Sequence, residues 1–98
     1  VSLNKNIHRY IEPLKQTSMY FAVKNVLPKE SYILLLTFEN GEKREFDMKP
    51  YLEYGIFREL KDIEMFNTVK TCFDTIEWEN EADMDPEFLY QNSSLISE

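Results

Sequence analysis

The sequence predicts a small α+β domain, and three observations in its 98 residues lead to this fold class. Apolar residues occupy both faces of the run from Ser31 to Glu39, as in a buried strand. Asn40-Gly41 separates this run from a second strand-like run. Apolar residues then recur at every third position, a helical stripe formed by Phe57, Leu60, Ile63 and Phe66. We therefore expect a mainly antiparallel sheet of about four strands, including a β-hairpin. One broken helix packs on it and a short C-terminal helix follows, in the order β-β-β-α-β-α.

The first two strands are expected at different places in the sheet. Met19 to Leu27 alternates loosely and stops at Pro28, so it is predicted to be an edge strand. In the second strand one face is formed by Tyr32, Leu34, Leu36 and Phe38, and the other by Ile33 and Leu35. Apolar residues on both faces predict a central strand that is at least partly covered on each side.

The Asn40-Gly41 pair predicts a two-residue hairpin turn of type I′, in which both residues have positive φ. In that register Leu35 faces Phe46 and Ile33 faces Met48. The charged side chains point to the other face of the hairpin, namely Lys43, Glu45 and Asp47. Pro50 ends the third strand.

The second half of the chain is predicted to hold the broken helix, a fourth strand and the final helix. The helix spans Tyr54 to Val69 with a break near Lys61-Asp62, where Asp62 caps a second short turn. Val69 to Glu79 is rich in β-branched and aromatic residues, which favours a strand, with a kink near Asp74. Asp85-Pro86 is a typical helix start. From this helix, Phe88 and Leu89 are expected to pack beside Trp78.

The predicted domain spans residues 19–92. Residues 1–18 are predicted to form an N-terminal arm that is either a short helix or flexible, because Pro13 limits a helix there. The Ser-rich residues 93–98 are predicted to be a flexible tail.

The formal charge of −7 is unevenly distributed along the chain. Residues 1–70 carry eleven basic and ten acidic side chains, whereas residues 71–98 carry eight acidic and no basic ones. Phosphate backbones bind to Lys and Arg, so direct nucleic-acid binding is not expected. The acids form either a solvated edge that favours solubility or a docking face for a basic partner.

The expected location is the cytoplasm. The sequence has no apolar run near the ~18 residues of a membrane helix, so no membrane association is expected. The N-terminus has no pattern of a signal peptide. The lone Cys72 fits a reducing compartment.

Familiar catalytic and cofactor motifs are missing from the sequence. Its two glycines do not build a phosphate-binding loop, and one His and one Cys do not make a usual zinc site. A Cys72–His8 pair is the one candidate for nucleophilic catalysis, but the two lie in different segments. We therefore assign no catalytic, cofactor-binding or metal-binding residue.

Acidic side chains occupy every second position in one stretch, at Glu77, Glu79, Glu81, Asp83 and Asp85. An EF-hand loop needs Gly at its sixth and Glu at its twelfth position, and no register satisfies both. In an extended strand these acids form a row that is too widely spaced for one ion. A weak, non-selective cation site is the remaining metal hypothesis.

Three separated blocks resemble a bacterial domain-of-unknown-function family, DUF2442. They are LLLTFENGEKREFDM from Leu34, GIFRELKD from Gly55 and IEWENEADMDPEFLY from Ile76. The resemblance implies a small α+β domain and no particular activity. It also implies relatives fused to helix-turn-helix domains and relatives encoded beside toxin–antitoxin-type proteins. Family members usually have Gly where Glu81 stands.

The expected function is a non-catalytic protein-interaction or regulatory module, antitoxin-like, that binds a protein partner encoded nearby. Its expected interaction face is Glu77, Glu79, Glu81 and Asp83. The alternative is an enzyme of unrecognised type that uses Glu79, Asp83 or Asp85, near the C-terminal helix. A third hypothesis is an accessory to DNA binding that acts through a partner. The sequence leaves the oligomeric state open.

Overall fold

A computed structural model describes residues 21–96 and confirms the α+β class. Its strands are β1 Val23–Lys29, β2 Ile33–Phe38, β3 Lys43–Asp47, β4 Lys70–Cys72, β5 Thr75–Glu77, β6 Asp83–Met84 and β7 Ser94–Leu95. Its α-helices are α1 Ile63–Phe66 and α2 Pro86–Gln91, and 3-10 helices span Glu30–Tyr32, Lys49–Tyr51 and Gly55–Lys61. One antiparallel sheet has the order β1-β2-β3-β7, and a second sheet has the order β4-β5-β6. The predicted arm, residues 1–18, lies outside the described residues.

No helix within residues 21–96 has the length and apolar character that crossing a membrane requires.

A single cluster of buried side chains joins the four-stranded sheet to the helices and the second sheet. Its largest members include Phe38, Phe46, Phe66, Trp78 and Leu89. Trp78 is only 1% exposed, and its indole N–H donates to the Phe66 carbonyl oxygen at 2.9 Å. The predicted core position of Trp78 is therefore confirmed, and its one polar atom has a partner.

The β2–β3 hairpin differs from its predicted register by one residue. The loop has three residues, Glu39 to Gly41, and only Gly41 among them has positive φ, at 92°. This geometry is a turn followed by one left-handed residue, so the type I′ prediction is wrong. Leu34 pairs with Phe46, and the predicted pairs of Leu35 with Phe46 and Ile33 with Met48 are not formed. The shift brings Phe46 to the buried face of β2, because a slip of one residue reverses the side-chain direction.

The predicted places of the first two strands in the sheet are confirmed, but Pro28 does not end β1, since it pairs with Leu34 inside this edge strand. β1 lies at the edge of its sheet and β2 lies in the centre. On the inner face of β2 the side chains are completely buried, namely Leu34, Leu36 and Phe38. On the outer face Ile33 and Leu35 are half-buried, so that face is only partly covered.

The broken helix is also confirmed, with a 3-10 helix as its first half. The observed spacing of three residues is the period of a 3-10 helix. At the break the Asp62 carboxylate accepts the Glu64 N–H at 3.0 Å and starts α1. Phe66 is buried, whereas Ile63 lies outside the buried stripe at 47% exposure.

The predicted fourth strand is two strands with a reversal between them. Cys72 pairs with Thr75, so the predicted kink near Asp74 is a tight hairpin turn. The chain reverses again between Glu77 and Asp83, which also pair. These three short strands form their own sheet.

The predicted flexible tail needs correction for residues 93–96. Ser94 pairs with Glu45 and Leu95 with Arg44, so β7 is the fourth strand of the main sheet. The Ile96 N–H donates to the Lys43 carbonyl oxygen at 2.9 Å. Ser-rich composition alone does not reveal this strand, because its stability comes from a partner far away in the chain.

The start of the last helix is confirmed. The Asp85 carboxylate accepts the Phe88 N–H at 3.1 Å, and Pro86 follows at the first helical position. Leu89 is fully buried, as expected. Phe88 does not make the predicted contact with Trp78: it packs edge-on against Phe46 and Tyr51, with ring centroids 6.2 and 5.6 Å away. The ring contacts of Trp78 are with Phe57 and Phe66 instead.

Candidate interaction surface

The four predicted interaction residues lie on the β5–β6 hairpin; we call Glu77, Glu79, Glu81 and Asp83 the acidic face. They do not form the extended row that the sequence predicted. Glu77 pairs directly with Asp83, and the other two residues lie in the loop between the strands. Opposite residues of an antiparallel pair point to the same side of the sheet. The structure therefore brings Glu77 and Asp83 together as a like-charged pair.

The loop of this hairpin has a fixed backbone geometry. The Trp78 N–H donates to the Ala82 carbonyl oxygen, and the Glu81 N–H donates to the Trp78 carbonyl oxygen, each at 2.9 Å. Asn80 accepts the Ala82 N–H at 3.0 Å. Glu81 has a φ of 73°, a left-handed conformation that glycine adopts more easily than glutamate.

Two hydrogen bonds fasten this loop to the helical segment of the chain. The Asn80 side-chain amide donates to the Glu59 carboxylate at 2.9 Å, and the Glu79 N–H donates to the Thr68 hydroxyl oxygen at 3.0 Å. Glu59 therefore adds a further carboxylate beside the acidic face. Sequence reasoning missed Glu59, because no spacing pattern connects the 3-10 helix with the acidic stretch.

Lys70 is the basic residue nearest to the acidic face by strand register. It pairs with Glu77 from the β4 side, while Asp83 pairs with Glu77 from the β6 side. Lys70, Glu77 and Asp83 therefore lie side by side across the three strands, as one positive and two negative side chains. The face keeps an excess of negative charge.

Cys72 lies next to the acidic face and is held in its neutral form. The pKa of this thiol is raised from 9.0, first by its hydrogen bond to the Glu77 carboxylate and then by burial. A catalytic cysteine needs a lowered pKa, so this environment does not prepare Cys72 as a nucleophile. His8, its hypothetical base, lies outside the described residues.

The acids considered for catalysis do not line either of two cavities formed by residues of the described range 21–96. Asp85 has a structural role as the helix cap of α2. A groove of about 910 Å³ is lined by residues that include Pro28, Ile33 and Ile63. A shallower cavity of about 520 Å³ is lined by Ala22, Val23, Glu39, Phe73 and Asp74. Neither lining includes Glu79, Asp83 or Asp85.

A metal site does not emerge from the part of the chain that the structure describes. Within residues 21–96, no group of three or more His, Cys, Asp or Glu side chains is arranged to hold an ion.

A polar cluster around Tyr90 was not foreseen from the sequence. The Tyr90 hydroxyl donates to the Glu42 carboxylate at 2.7 Å, and the Arg44 guanidinium donates to the same oxygen at 2.8 Å. Arg44 also lies 4.3 Å from the centre of the Tyr90 ring and donates to the hydroxyl and the carbonyl oxygen of Ser93. These contacts fasten α2 and β7 to the main sheet, so the cluster has a structural role. Tyr90 lies 48 residues from Glu42 and Ser93 lies 49 residues from Arg44, so no local pattern predicts the cluster.

Comparison with known proteins gives one family. A family model described as a protein of unknown function, DUF2442, matches residues 23–94. The match begins with the first residue of β1 and ends with the first residue of β7. No curated protein and no solved structure matches the chain.

Proposed function

The chain belongs to the DUF2442 family, and on that premise we propose that it is a non-catalytic protein-interaction or regulatory module, antitoxin-like. It binds a basic partner protein through the acidic face. The observation that carries the proposal is the pairing of Glu77 with Asp83. Like charges directly opposite each other destabilise a sheet. A partner that supplies Lys or Arg relieves this repulsion, which Lys70 offsets on the β4 side of Glu77 alone.

The charge distribution supports a protein partner. Residues 71–98 carry eight acidic and no basic side chains, so this part of the chain has a negative field. Such a field attracts a basic protein surface and speeds its encounter. It repels nucleic-acid phosphates and anionic membrane surfaces. We place the module in the bacterial cytoplasm, in keeping with its lone cysteine, with its partner encoded by a neighbouring gene.

Affinity capture with a charge-reduced variant tests the proposal. The full chain is immobilised and exposed to extract of the native cells at low and at moderate salt. The variant carries Glu77→Gln, Glu79→Gln and Asp83→Asn. The matched control removes the same number of charges elsewhere, at exposed Glu30, Glu45 and Glu64. Proteins that bind are quantified by mass spectrometry.

The expected result is a basic protein that binds the parent chain and the control but not the charge-reduced variant. Binding should weaken as salt rises, because exposed charges are screened. The proposal fails if no protein distinguishes the variant from the control. It also fails if the protein retained is acidic.

A further inference from the structure

Phe73 stands out among the described residues as an apolar side chain in an unfavourable place. It is 99% exposed, more than any other large apolar residue of residues 21–96. It also occupies the β4–β5 turn with a φ of 59°, a left-handed conformation that favours glycine. Burial does not explain this residue, and neither does turn chemistry. Aromatic residues, phenylalanine among them, are enriched at protein–protein interfaces.

Phe73 is one of the residues that line the cavity of about 520 Å³, which we call the Phe73 cavity. The apolar residues Ala22 and Val23 contribute to the lining, and both are buried. Glu39 places an exposed carboxylate in the same lining. Backbone hydrogen bonds join these segments, since the Glu39 N–H donates to the Ala22 carbonyl at 2.9 Å and the Val23 N–H to the Asp74 carbonyl at 3.0 Å. The position of Glu39 relative to the turn is therefore set by the fold.

We infer that the Phe73 cavity binds an arginine side chain of a partner protein. The inference rests on the proposed function, because this arginine belongs to the same basic partner. The aliphatic part of an arginine packs on exposed apolar surface, which the Phe73 ring provides. Its guanidinium group is attracted to an aromatic ring and forms charge-assisted hydrogen bonds with a carboxylate. Phe73 and Glu39 supply these two partners in the lining of one cavity, which also includes Asp74.

The chemistry of the lining distinguishes arginine from other occupants. Lysine has the charge but not the planar group that stacks on a ring, so it binds more weakly. Citrulline has nearly the same shape as arginine without the charge. An acidic side chain is repelled by Glu39.

Nuclear magnetic resonance titration of the labelled full chain tests the inference with defined peptides. Four capped ten-residue peptides share one Gly/Ser/Leu sequence and differ in two positions, which hold arginine, lysine, citrulline or glutamate. The arginine peptide should shift the amide signals of residues 22, 23, 39 and 73. It should bind at least about threefold more tightly than the lysine peptide, as a stacked rather than a point-charge cation does. The other two peptides should leave these signals unchanged.

Substitutions then identify the two contacts. Phe73→Gly should weaken binding of the arginine peptide about three- to tenfold. This factor corresponds to the loss of a cation–π contact that is exposed or partly desolvated. This variant should fold at least as well as the parent, because glycine favours the observed φ. Glu39→Gln should weaken binding by a similar factor, and Phe73→Tyr should retain it. Tyr54→Ser is the matched control, since Tyr54 is an exposed aromatic residue elsewhere, at 66% exposure.

The outcomes separate this inference from the proposed function. Shifts confined to residues 77–83 overturn the Phe73 cavity and leave the acidic face as a binding surface. Equal binding of the arginine and citrulline peptides overturns the inference as well. So does an unchanged affinity in Phe73→Gly. In a further outcome, the charge-reduced variant loses the partner while Phe73→Gly still binds the arginine peptide as tightly as the parent. That pair of results supports the proposed function and overturns the inference about the Phe73 cavity.

Discussion

Gly41 and Glu81 occupy the same position in two hairpin loops with one hydrogen-bond pattern. The loops follow Phe38 and Trp78. In each loop the N–H of this aromatic residue donates to the carbonyl oxygen four residues later, and its carbonyl oxygen accepts the N–H of the residue three positions later. In each, a central asparagine accepts the N–H two residues on, at 3.0 Å. The φ angles are 92° at Gly41 and 73° at Glu81. The first loop has the residue type that its backbone favours, and the second does not.

Glu81→Gly should therefore raise the free energy of unfolding by about 0.5–1 kcal/mol. Removing the left-handed strain of an L-residue stabilises the folded state by roughly 1–2 kcal/mol. Glycine loses more conformational entropy on folding, which offsets roughly 0.5–1 kcal/mol of this gain. Urea unfolding measures the change. Glu81→Gln is the control, because it removes the charge and keeps the strain.

The reverse change at the equivalent position should destabilise the protein. Beyond Gly41 and its two chain neighbours, no heavy atom lies within 4 Å of a Cβ placed on Gly41, so Gly41→Ala meets only the conformational cost of about 1 kcal/mol. A loss of stability in Glu81→Gly together with no loss in Gly41→Ala would contradict the equivalence of the two loops.

Trp78→Ala should lower the free energy of unfolding by about 3–5 kcal/mol, because the residue is almost completely buried. Trp78→Phe tests the indole N–H separately, since it keeps an aromatic ring and leaves the Phe66 carbonyl without its donor. Its loss should be smaller than that of alanine. Thermal unfolding checks both variants, and a melting temperature unchanged in Trp78→Ala would show that the ring does not support the core.

The Tyr90–Glu42 hydrogen bond should make stability depend on pH. The pKa of Glu42 is lowered from 4.5, first by the hydrogen bond from Tyr90 and then by that from Arg44. A lowered folded pKa stabilises the protein above the unfolded pKa, and this contribution is lost as pH falls through the folded pKa. Tyr90→Phe removes the hydroxyl and keeps the ring that stacks on Phe21.

The urea midpoint of Tyr90→Phe should therefore lie below that of the parent at pH 7, with a smaller difference at pH 3. Tyr51→Phe serves as the control, with no expected change in the difference between the two pH values. At high pH the stability contribution changes with pH in the opposite direction, because the hydrogen bond to Glu42 raises the pKa of Tyr90 from 10.0. This contribution is present below pH 10 and lost as pH rises through the raised pKa. An equal difference at pH 3 and pH 7 would contradict the role of the carboxylate.

Cys72 should react slowly with iodoacetamide near pH 8, because the thiolate is the reactive form and the pKa of this thiol is raised. Glu77→Gln removes the charged acceptor and should shift the pH–rate profile to lower pH. Glu79→Gln, in the same acidic face, should leave the profile unchanged. Mass spectrometry of the modified protein gives the rates. Coinciding profiles for the parent and Glu77→Gln would show that Glu77 does not hold the thiol proton.

Elements with a strong local signal were predictable from the sequence. The Asp62 and Asp85 caps and the central strand were all identified, since capping residues and apolar spacing act within a few residues. The hairpin register was not, because Asn40-Gly41 fits both a two-residue turn and a loop with one left-handed residue. The core decides between them by burying Phe46.

The reversals in the second sheet had no such signal. The turn at Phe73 lacks the glycine or asparagine that would predict it, so the sequence indicated a kinked strand. The members of the acidic face were identified in the chain, but their pairing depends on this reversal and the next. Glu59 joins them through Asn80, a tertiary contact that spacing does not reveal.

The strand β7 covers the edge of β3 through pairing between distant parts of the chain. The other strand pairs join neighbours along the described chain, whereas β7 returns to β3 from about 50 residues away. Local hairpins form early in folding, so β7 is expected to dock last and to detach first. Detachment leaves β3 as an open edge that can pair with another molecule. Deletion of residues 93–98 should then produce concentration-dependent oligomers in light scattering, and a strictly monomeric truncated chain would show that β7 does not protect that edge.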